Sequence, residues 1–173
     1  MTTPAFRIDG DVASREAFYA IACDPGRSCA VEACAGSGKT WILVSRMLRA
    51  LLDGVEPHEI LAITFTRAAA GEMRQRLGDW LAELSTPRSS HAKRVQALVD
   101  RGVSPRRAEE LAPALGELQG RVLAAARPVE VRTFHAWFAQ LMRGAPLALL
   151  DRLGLAPEME LIEDLEDHRA AVL

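Results

Sequence analysis

Apolar and polar residues alternate along the first half of the chain with two different periods. Helical spacing predicts three helices, over 13–22 ("ASREAFYAIA"), 39–54 ("KTWILVSRMLRALLDG", ending at its glycine) and 67–84 ("RAAAGEMRQRLGDWLAEL"). Two short apolar runs predict strands at 28–34 ("SCAVEAC") and 59–66 ("EILAITFT"). The second run is continuous enough to predict burial on both faces. Strands alternating with helices and joined by short connections predict a parallel α/β sheet.

The composition changes after residue 84. Residues 85–128 begin with a polar, turn-rich stretch and continue as Ala-, Leu- and Arg-rich sequence. They predict a helical insertion of two or three helices, with breaks near 102–105 and at Pro113. Residues 129–142 ("VEVRTFHAWFAQLM") predict a strand leading into a helix. A last piece, 143–173, becomes acidic toward its end.

Five basic residues lie at the start of the insertion, and two interpretations of them stay open. They form either a DNA-facing patch or an ordinary solvated face. The five are Arg88, Lys93, Arg94, Arg106 and Arg107.

Overall charge and composition exclude several classes of protein. The 173 residues carry a net charge of −2, so any nucleic-acid binding must come from a local surface. The N-terminus has no secretory h-region, and no apolar run reaches the ~18 residues of a membrane span. We therefore expect a cytoplasmic protein without membrane contact.

The three cysteines, Cys23, Cys29 and Cys34, lie close together in the sequence. Their spacing is not the CxxC of a zinc or redox motif, so we expect small, partly buried thiols. Cys34 is of special interest because it lies within a glycine-containing turn.

That turn carries a phosphate-binding pattern. In GxxxxGK[ST], Ala33 stands at the first glycine, and Gly38, Lys39 and Thr40 follow at the required distance. Small residues let successive backbone N–H groups and the helix N-terminus hold phosphate oxygens. Lys39 would supply charge to the β- and γ-phosphates, and Thr40 would offer its hydroxyl to Mg²⁺. The predicted ATP-binding residues are Ala33, Cys34, Ala35, Gly36, Ser37, Gly38, Lys39, Thr40 and Trp41.

Three motifs in order resemble the UvrD/RecB-type superfamily-one DNA helicases. These are "AGSGKT", "TFTRAAAGEMRQRL" and "VRTFHAWF". The variant "TFTRAAAGEM" and the helical insertion make the chain more similar to the AddA and RecB branch. The resemblance spans Ser14 to Leu173. It implies a P-loop NTPase with a RecA-like parallel sheet: residues 1–84 would begin domain 1A, 129–142 would return to it, and 143–173 would begin helical accessory domain 1B.

The resemblance also implies a DNA-facing rim. Phe65 would stack on a base, while Thr66 and Arg67 would meet phosphates. Without this context, Phe65 and His135 are equally interpretable as core residues, and Glu72, Met73 and Leu77 are expected to be structural. The predicted DNA-binding residues are Thr64, Phe65, Thr66, Arg67, Thr133, Phe134 and His135.

Two departures from the family pattern affect the expected chemistry. Ser14 stands where this group commonly carries an adenine-reading glutamine, and a hydroxyl cannot make a carboxamide's paired contact. "LIEDLED" at 161–167 is interpreted as the opening of the accessory domain rather than as the acidic pair that supports hydrolysis. We therefore expect this chain, taken alone, to bind ATP and Mg²⁺ without hydrolysing ATP or unwinding DNA.

The function implied is that of the amino-terminal ATP-binding part of a helicase for double-strand-break repair and recombination. Its partners would be single- and double-stranded DNA, the remainder of a larger chain and a second helicase–nuclease subunit. The alternative is a free-standing, catalytically silent nucleotide- or DNA-binding module. A small-molecule kinase would share only the phosphate loop.

Overall fold

The computed structural model describes residues 6–34 and 36–155, which fall into two compact units. The first unit comprises residues 1–61 and 72–130, and the second comprises residues 62–71 and 131–173. Ala35 and the acidic stretch 161–167 lie outside the described residues. No helix of the described part is long and apolar enough to cross a membrane.

The first unit opens with a hairpin followed by two helices. Strands β1 (Arg7–Ile8) and β2 (Asp11–Val12) pair antiparallel. Helix α1 (Arg15–Ala22) is capped by Ser14, and helix α2 (Lys39–Leu52) ends where Gly54 turns the chain at φ 92°. Both helices were predicted from apolar spacing, and both are confirmed. Their contact buries Ala22, Cys23 and Ile42 beside partly buried aromatic side chains.

The predicted strand at 28–34 is not formed. These residues make no ladder with another strand in the part of the chain that is described, and most of them are exposed. A strand is defined by the hydrogen bonds to its neighbour, so apolar sequence alone does not produce one. Here the segment is held by a side chain instead. Arg46 of α2 donates from Nη1 to the carbonyl of Ala22 (3.1 Å) and from Nη2 to that of Arg27 (2.6 Å).

Helix α3 (Arg67–Ser85) leads into the insertion, which folds as a helical hairpin. Helix α4 (His91–Val99) and helix α5 (Pro105–Ala124) pack closely against each other, and α5 also contacts α2. The predicted break near 102–105 is confirmed. The predicted break at Pro113 is wrong, because α5 continues through it. Pro113 is exposed, while its neighbour Ala112 is buried with the rest of the α5 core face, so packing offsets the lost hydrogen bond.

The basic residues of the insertion are largely paired within the first unit. Arg94 is half-buried and donates to the carbonyl oxygens of Leu84 (2.8 Å) and Thr86 (3.2 Å). This arrangement favours an intramolecular role over a DNA-facing patch. The ion pairs are Lys93 with Glu83 at 2.7 Å, and Arg106 and Arg107 with Glu110 at 3.5 and 3.1 Å.

The second unit is built on a small parallel sheet. Strand β3 (Leu61–Thr64) pairs with strand β4 (Glu130–Thr133), and helices α6 (Phe134–Arg143) and α7 (Leu147–Leu153) follow. The predicted burial of β3 on both faces is wrong, since its residues alternate between exposed and half-buried. With only two strands in the described residues, the sheet presents one face of β3 to solvent.

Candidate nucleotide and nucleic-acid sites

The phosphate-binding pattern lies at the amino end of α2. Gly38 caps the helix in the left-handed conformation at φ 91°, and Gly36 also has positive φ, at 76°. A β-carbon at either glycine would meet no atom within 4 Å, so both face open space. Among the described residues, no side chain caps α2, and its first turn contains no acidic residue. The first N–H groups of α2 and the positive end of its dipole are therefore suited to an anion.

Lys39 is hydrogen-bonded to the loop itself. Its ammonium donates to the carbonyl oxygens of Ala33 (2.7 Å) and Cys34 (2.6 Å). The Cys34 carbonyl also accepts from the Ser37 hydroxyl (2.6 Å) and the Ser37 N–H (3.3 Å). Two glycines, a lysine and two hydroxyl side chains, those of Ser37 and Thr40, make a donor set that fits a polyphosphate with Mg²⁺.

Trp41, which follows Thr40 directly, has its side chain in an aromatic cluster. Its ring lies 5.0 Å from that of Tyr19 on α1 and 6.0 Å from that of Trp80 on α3, both edge-on. The guanidinium of Arg101 lies 5.4 Å from the Trp41 centroid and 4.1 Å from the Trp80 centroid. The predicted contact of Trp41 with nucleotide stays a prediction, and the first turn of α2 is anchored through this ring.

Ser14, at the position where a glutamine would read adenine, caps α1 instead. Its hydroxyl oxygen accepts from the N–H of Ala17 at 3.1 Å. Backbone hydrogen bonding, with a contribution from the Ser14 hydroxyl, lowers the pKa of the exposed Glu16 carboxyl. The side chain of Ser14 is therefore engaged at the helix end.

The three cysteines are free but differ in their surroundings. Cys23 is fully buried, whereas Cys29 and Cys34 are exposed, so the expectation of partial burial is wrong for the latter two. Burial raises the pKa of the Cys23 thiol to about 11. Cys34 is the thiol that lies within the phosphate loop.

A second candidate site lies at one edge of the sheet in the second unit. The carboxyl ends of the parallel strands β3 and β4 meet there, which brings Thr64–Thr66 and Thr133–His135 to the same edge. Phe65 is 89% exposed, the most exposed of the large apolar side chains described. Phe134 and His135 are exposed as well. The interpretation of Phe65 and His135 as core residues is therefore wrong.

The two threonines of this edge have structural roles at their helices. The Thr66 hydroxyl accepts from the N–H of Ala69 at 3.1 Å, at the start of α3. The Thr133 hydroxyl accepts from Ala136 N–H at 3.1 Å and caps α6, and Thr133 is buried. Phe134 also packs against Phe138, with ring centroids 4.7 Å apart. The aromatic rings, rather than the threonine hydroxyls, form the exposed surface of this edge.

Two arginines important to the first unit were missed by sequence reasoning. Arg46 holds the segment before the phosphate loop, and Arg101 lies on the Trp41 ring. Arg46 interrupts the apolar repeat of α2 at a half-buried position, which is a usable signal. Arg101 has no such signal beyond its place next to Gly102 at the predicted helix break.

Comparisons with known proteins agree with these sites. The model of the UvrD/REP helicase N-terminal domain matches residues 13–170. Relatives named as the A-type subunit of an ATP-dependent helicase/nuclease occur in several bacteria. That of Ligilactobacillus salivarius is 47% identical over 72 residues, or 41% of this chain and 6% of its own length. Those of Listeria monocytogenes and Bacillus licheniformis are 42% and 41% identical over 80 and 81 residues, covering 43% and 44% of this chain. The chain therefore aligns with only 6–7% of the length of these relatives.

Proposed function

The chain belongs to the family of the UvrD/REP helicase N-terminal domain, and we propose that it is the ATP-binding part of a DNA helicase. The resemblance inferred from the three motifs is thereby confirmed, and the names of the relatives agree with the AddA branch. The proposal extends to a RecA-like domain 1A, with 85–128 as its helical insertion. The small parallel sheet and the P-loop pattern support this assignment.

The observation that carries the proposal is the phosphate loop at the amino end of α2. Gly36 and Gly38 leave the concave side of the loop open, and Lys39 lies across the loop carbonyls. In this proposal the loop from Ala33 to Thr40 holds the phosphates of ATP, and Lys39 transfers its hydrogen bonds to phosphate oxygens. Mg²⁺, held by the Thr40 hydroxyl, would supply charge neutralisation when bound.

The exposed edge of the second unit is proposed to hold one side of single-stranded DNA. Phe65 and Phe134 offer rings on which bases stack without sequence preference. Arg67 and His135 would contribute charge and hydrogen bonding near the backbone. Because these contacts represent one wall of a channel, binding by this chain is expected to be weak and steeply dependent on salt.

We further propose that the chain acts as part of a larger helicase in double-strand-break repair and recombination. The name of the relatives describes one subunit of a helicase/nuclease, which supports the proposal that the partner is a second subunit. In the described residues neither β3 ("LAIT") nor β4 ("EVRT") ends in an Asp-Glu pair that would orient water. The chain alone is therefore expected to bind Mg-ATP without DNA-stimulated hydrolysis.

The experiment is a titration of the purified chain with a fluorescent ATP analogue in Mg²⁺. Lys39→Met removes the charge while retaining a side chain of similar length, and it is expected to weaken binding about tenfold or more. Lys93→Met is the matched control, since Lys93 is the only other lysine of the sequence and is exposed in an ion pair with Glu83. Equal affinities for the wild type and Lys39→Met would refute the site.

An ATPase assay with and without single-stranded DNA completes the test. Turnover that is stimulated by DNA and lost in Lys39→Met would show that the chain carries its own acidic motif. Glu163, Asp164, Glu166 and Asp167, which lie outside the described residues, would then be the first positions to change.

A further inference from the structure

The corner between α4 and α5 reaches the nucleotide site through a buried guanidinium. Arg101 is 6% exposed and lies between the insertion and two tryptophans, 4.1 Å from the Trp80 centroid and 5.4 Å from that of Trp41. Trp41 follows Thr40, the proposed Mg²⁺ ligand, without an intervening residue. One side chain therefore joins the insertion to the first turn of α2.

The placement of this cation is costly for stability alone. Burial lowers the pKa of the Arg101 guanidinium to about 10. Its Nη1 donates to the Ala97 carbonyl at 2.6 Å, but its Nε is buried without a hydrogen-bond partner among the described residues. An apolar side chain of similar volume would avoid this desolvation. What the guanidinium supplies that an apolar group would not is a directional attraction to the ring faces.

The backbone of the same corner makes two further contacts with the nucleotide-binding elements. The Arg101 carbonyl accepts from Nη1 of Arg49 on α2 at 3.2 Å. Gly102 lies so close to α1 that a β-carbon there would be 2.3 Å from the carbonyl carbon and oxygen of Tyr19. The corner is thus fitted against both helices beside the phosphate loop, and its position is tied to theirs.

We propose that Arg101 is a positioning residue of the nucleotide site: it fixes the Trp41 ring, and with it the first turn of α2, and so couples the insertion to nucleotide binding. This inference rests on the proposed ATP site. Coupling is reciprocal, so a nucleotide that orders the first turn of α2 also stabilises the corner at residues 97–104.

The first test is hydrogen exchange on the wild-type chain, with and without a non-hydrolysable ATP analogue and Mg²⁺. The expected result is slower exchange at residues 97–104 as well as in the phosphate loop. Arg101→Ala is expected to abolish the nucleotide-dependent change at 97–104 while some protection of the loop remains. A structural role alone would give exchange at 97–104 that is unaffected by nucleotide in the wild type, and this result would overturn the proposal.

The second test is a double-mutant cycle on nucleotide affinity. Arg101→Ala and Trp41→Leu are each expected to weaken binding about fivefold, and the double variant no more than Trp41→Leu, because Arg101 acts through that ring. Arg106→Ala, on the exposed side of the same insertion, is the control and should bind like the wild type. If Arg101→Ala fails to fold, Arg101→Lys replaces it in both tests and should bind with intermediate affinity.

The outcomes separate the two proposals. If Lys39→Met binds as well as the wild type, the ATP site itself is wrong. If Lys39→Met loses binding while the Arg101 variant binds like the wild type, the ATP site stands and the positioning role of Arg101 is refuted. Additive losses from Arg101 and Trp41 would also refute it.

Discussion

Gly102 allows the insertion to approach α1, and replacing it gives a sharp stability test. In Gly102→Ala the new β-carbon would lie 2.3 Å from the carbonyl carbon and oxygen of Tyr19 and 2.4 Å from the nitrogen of Ala20. These are backbone atoms, so relief requires α1 or the insertion corner to move by roughly 0.7 Å to reach even a 3.0 Å contact. A displacement of this kind in a packed region typically costs about 1–3 kcal/mol. The residue also has φ 78°, which adds about 1–2 kcal/mol for alanine.

Gly54→Ala is the matched control for this substitution. Gly54 has φ 92°, but its β-carbon would meet no atom within 4 Å, so the cost for alanine comes only from the backbone conformation. Urea denaturation should show a loss of about 1–2 kcal/mol for Gly54→Ala and about 2–5 kcal/mol for Gly102→Ala, with unchanged m-values. Equal losses in the two variants would refute the close contact between the insertion and α1.

Three further predictions concern the cysteines and the base of the nucleotide. Mg-ATP should slow alkylation of Cys34, which lies in the phosphate loop, and should leave the exposed Cys29 unaffected; equal slowing of both would contradict the site. Because the pKa of Cys23 is raised from 9.0 to about 11, its contribution to stability is complete below pH 9 and is lost as the pH rises toward 11. Between pH 9 and 10 the free energy of unfolding should fall by about 1 kcal/mol more in the wild type than in Cys23→Ala, as measured by urea denaturation. Since Ser14 caps α1, fluorescent GTP and ATP analogues should bind with affinities within about tenfold of each other, whereas a stronger preference for ATP would point to another adenine-reading group.

The local elements were predictable where one physical rule governs them. The repeat Ile42, Met47, Leu48 and Leu51 places one face of α2 in the core, and all four are buried. The phosphate loop was likewise predictable, because its spacing reflects the needs of a backbone cradle. Caps such as Ser14 are local as well, although the family pattern directed attention to adenine rather than to the helix end.

Features that depend on distant packing were not predictable. Whether 28–34 forms a strand depends on a neighbour to pair with, and whether Pro113 breaks α5 depends on how strongly the rest of that helix is packed. Arg101 and Trp41 are 60 positions apart, and nothing in either local sequence indicates that they meet. The exposure of Phe65 follows from its position after the last residue of β3, at the edge of the sheet, which composition cannot reveal.

The hydrogen bonds of Lys39 determine how the effect of its substitution should be understood. Its ammonium already has two carbonyl acceptors at 2.7 and 2.6 Å, so phosphate binding exchanges these bonds for others rather than satisfying a free cation. The exchange is favourable because ionised acceptors form stronger hydrogen bonds than carbonyls and because the uncapped N–H groups of α2 gain partners at the same time. The net contribution of Lys39 is therefore a difference, which is why we expect a loss of about 1.5–3 kcal/mol instead of the sum of several charge-assisted bonds. Lys39→Met also removes the bonds that tie the ammonium to Ala33 and Cys34. A faster alkylation of Cys34 in that variant without nucleotide would show that Lys39 orders the loop as well as binding phosphate.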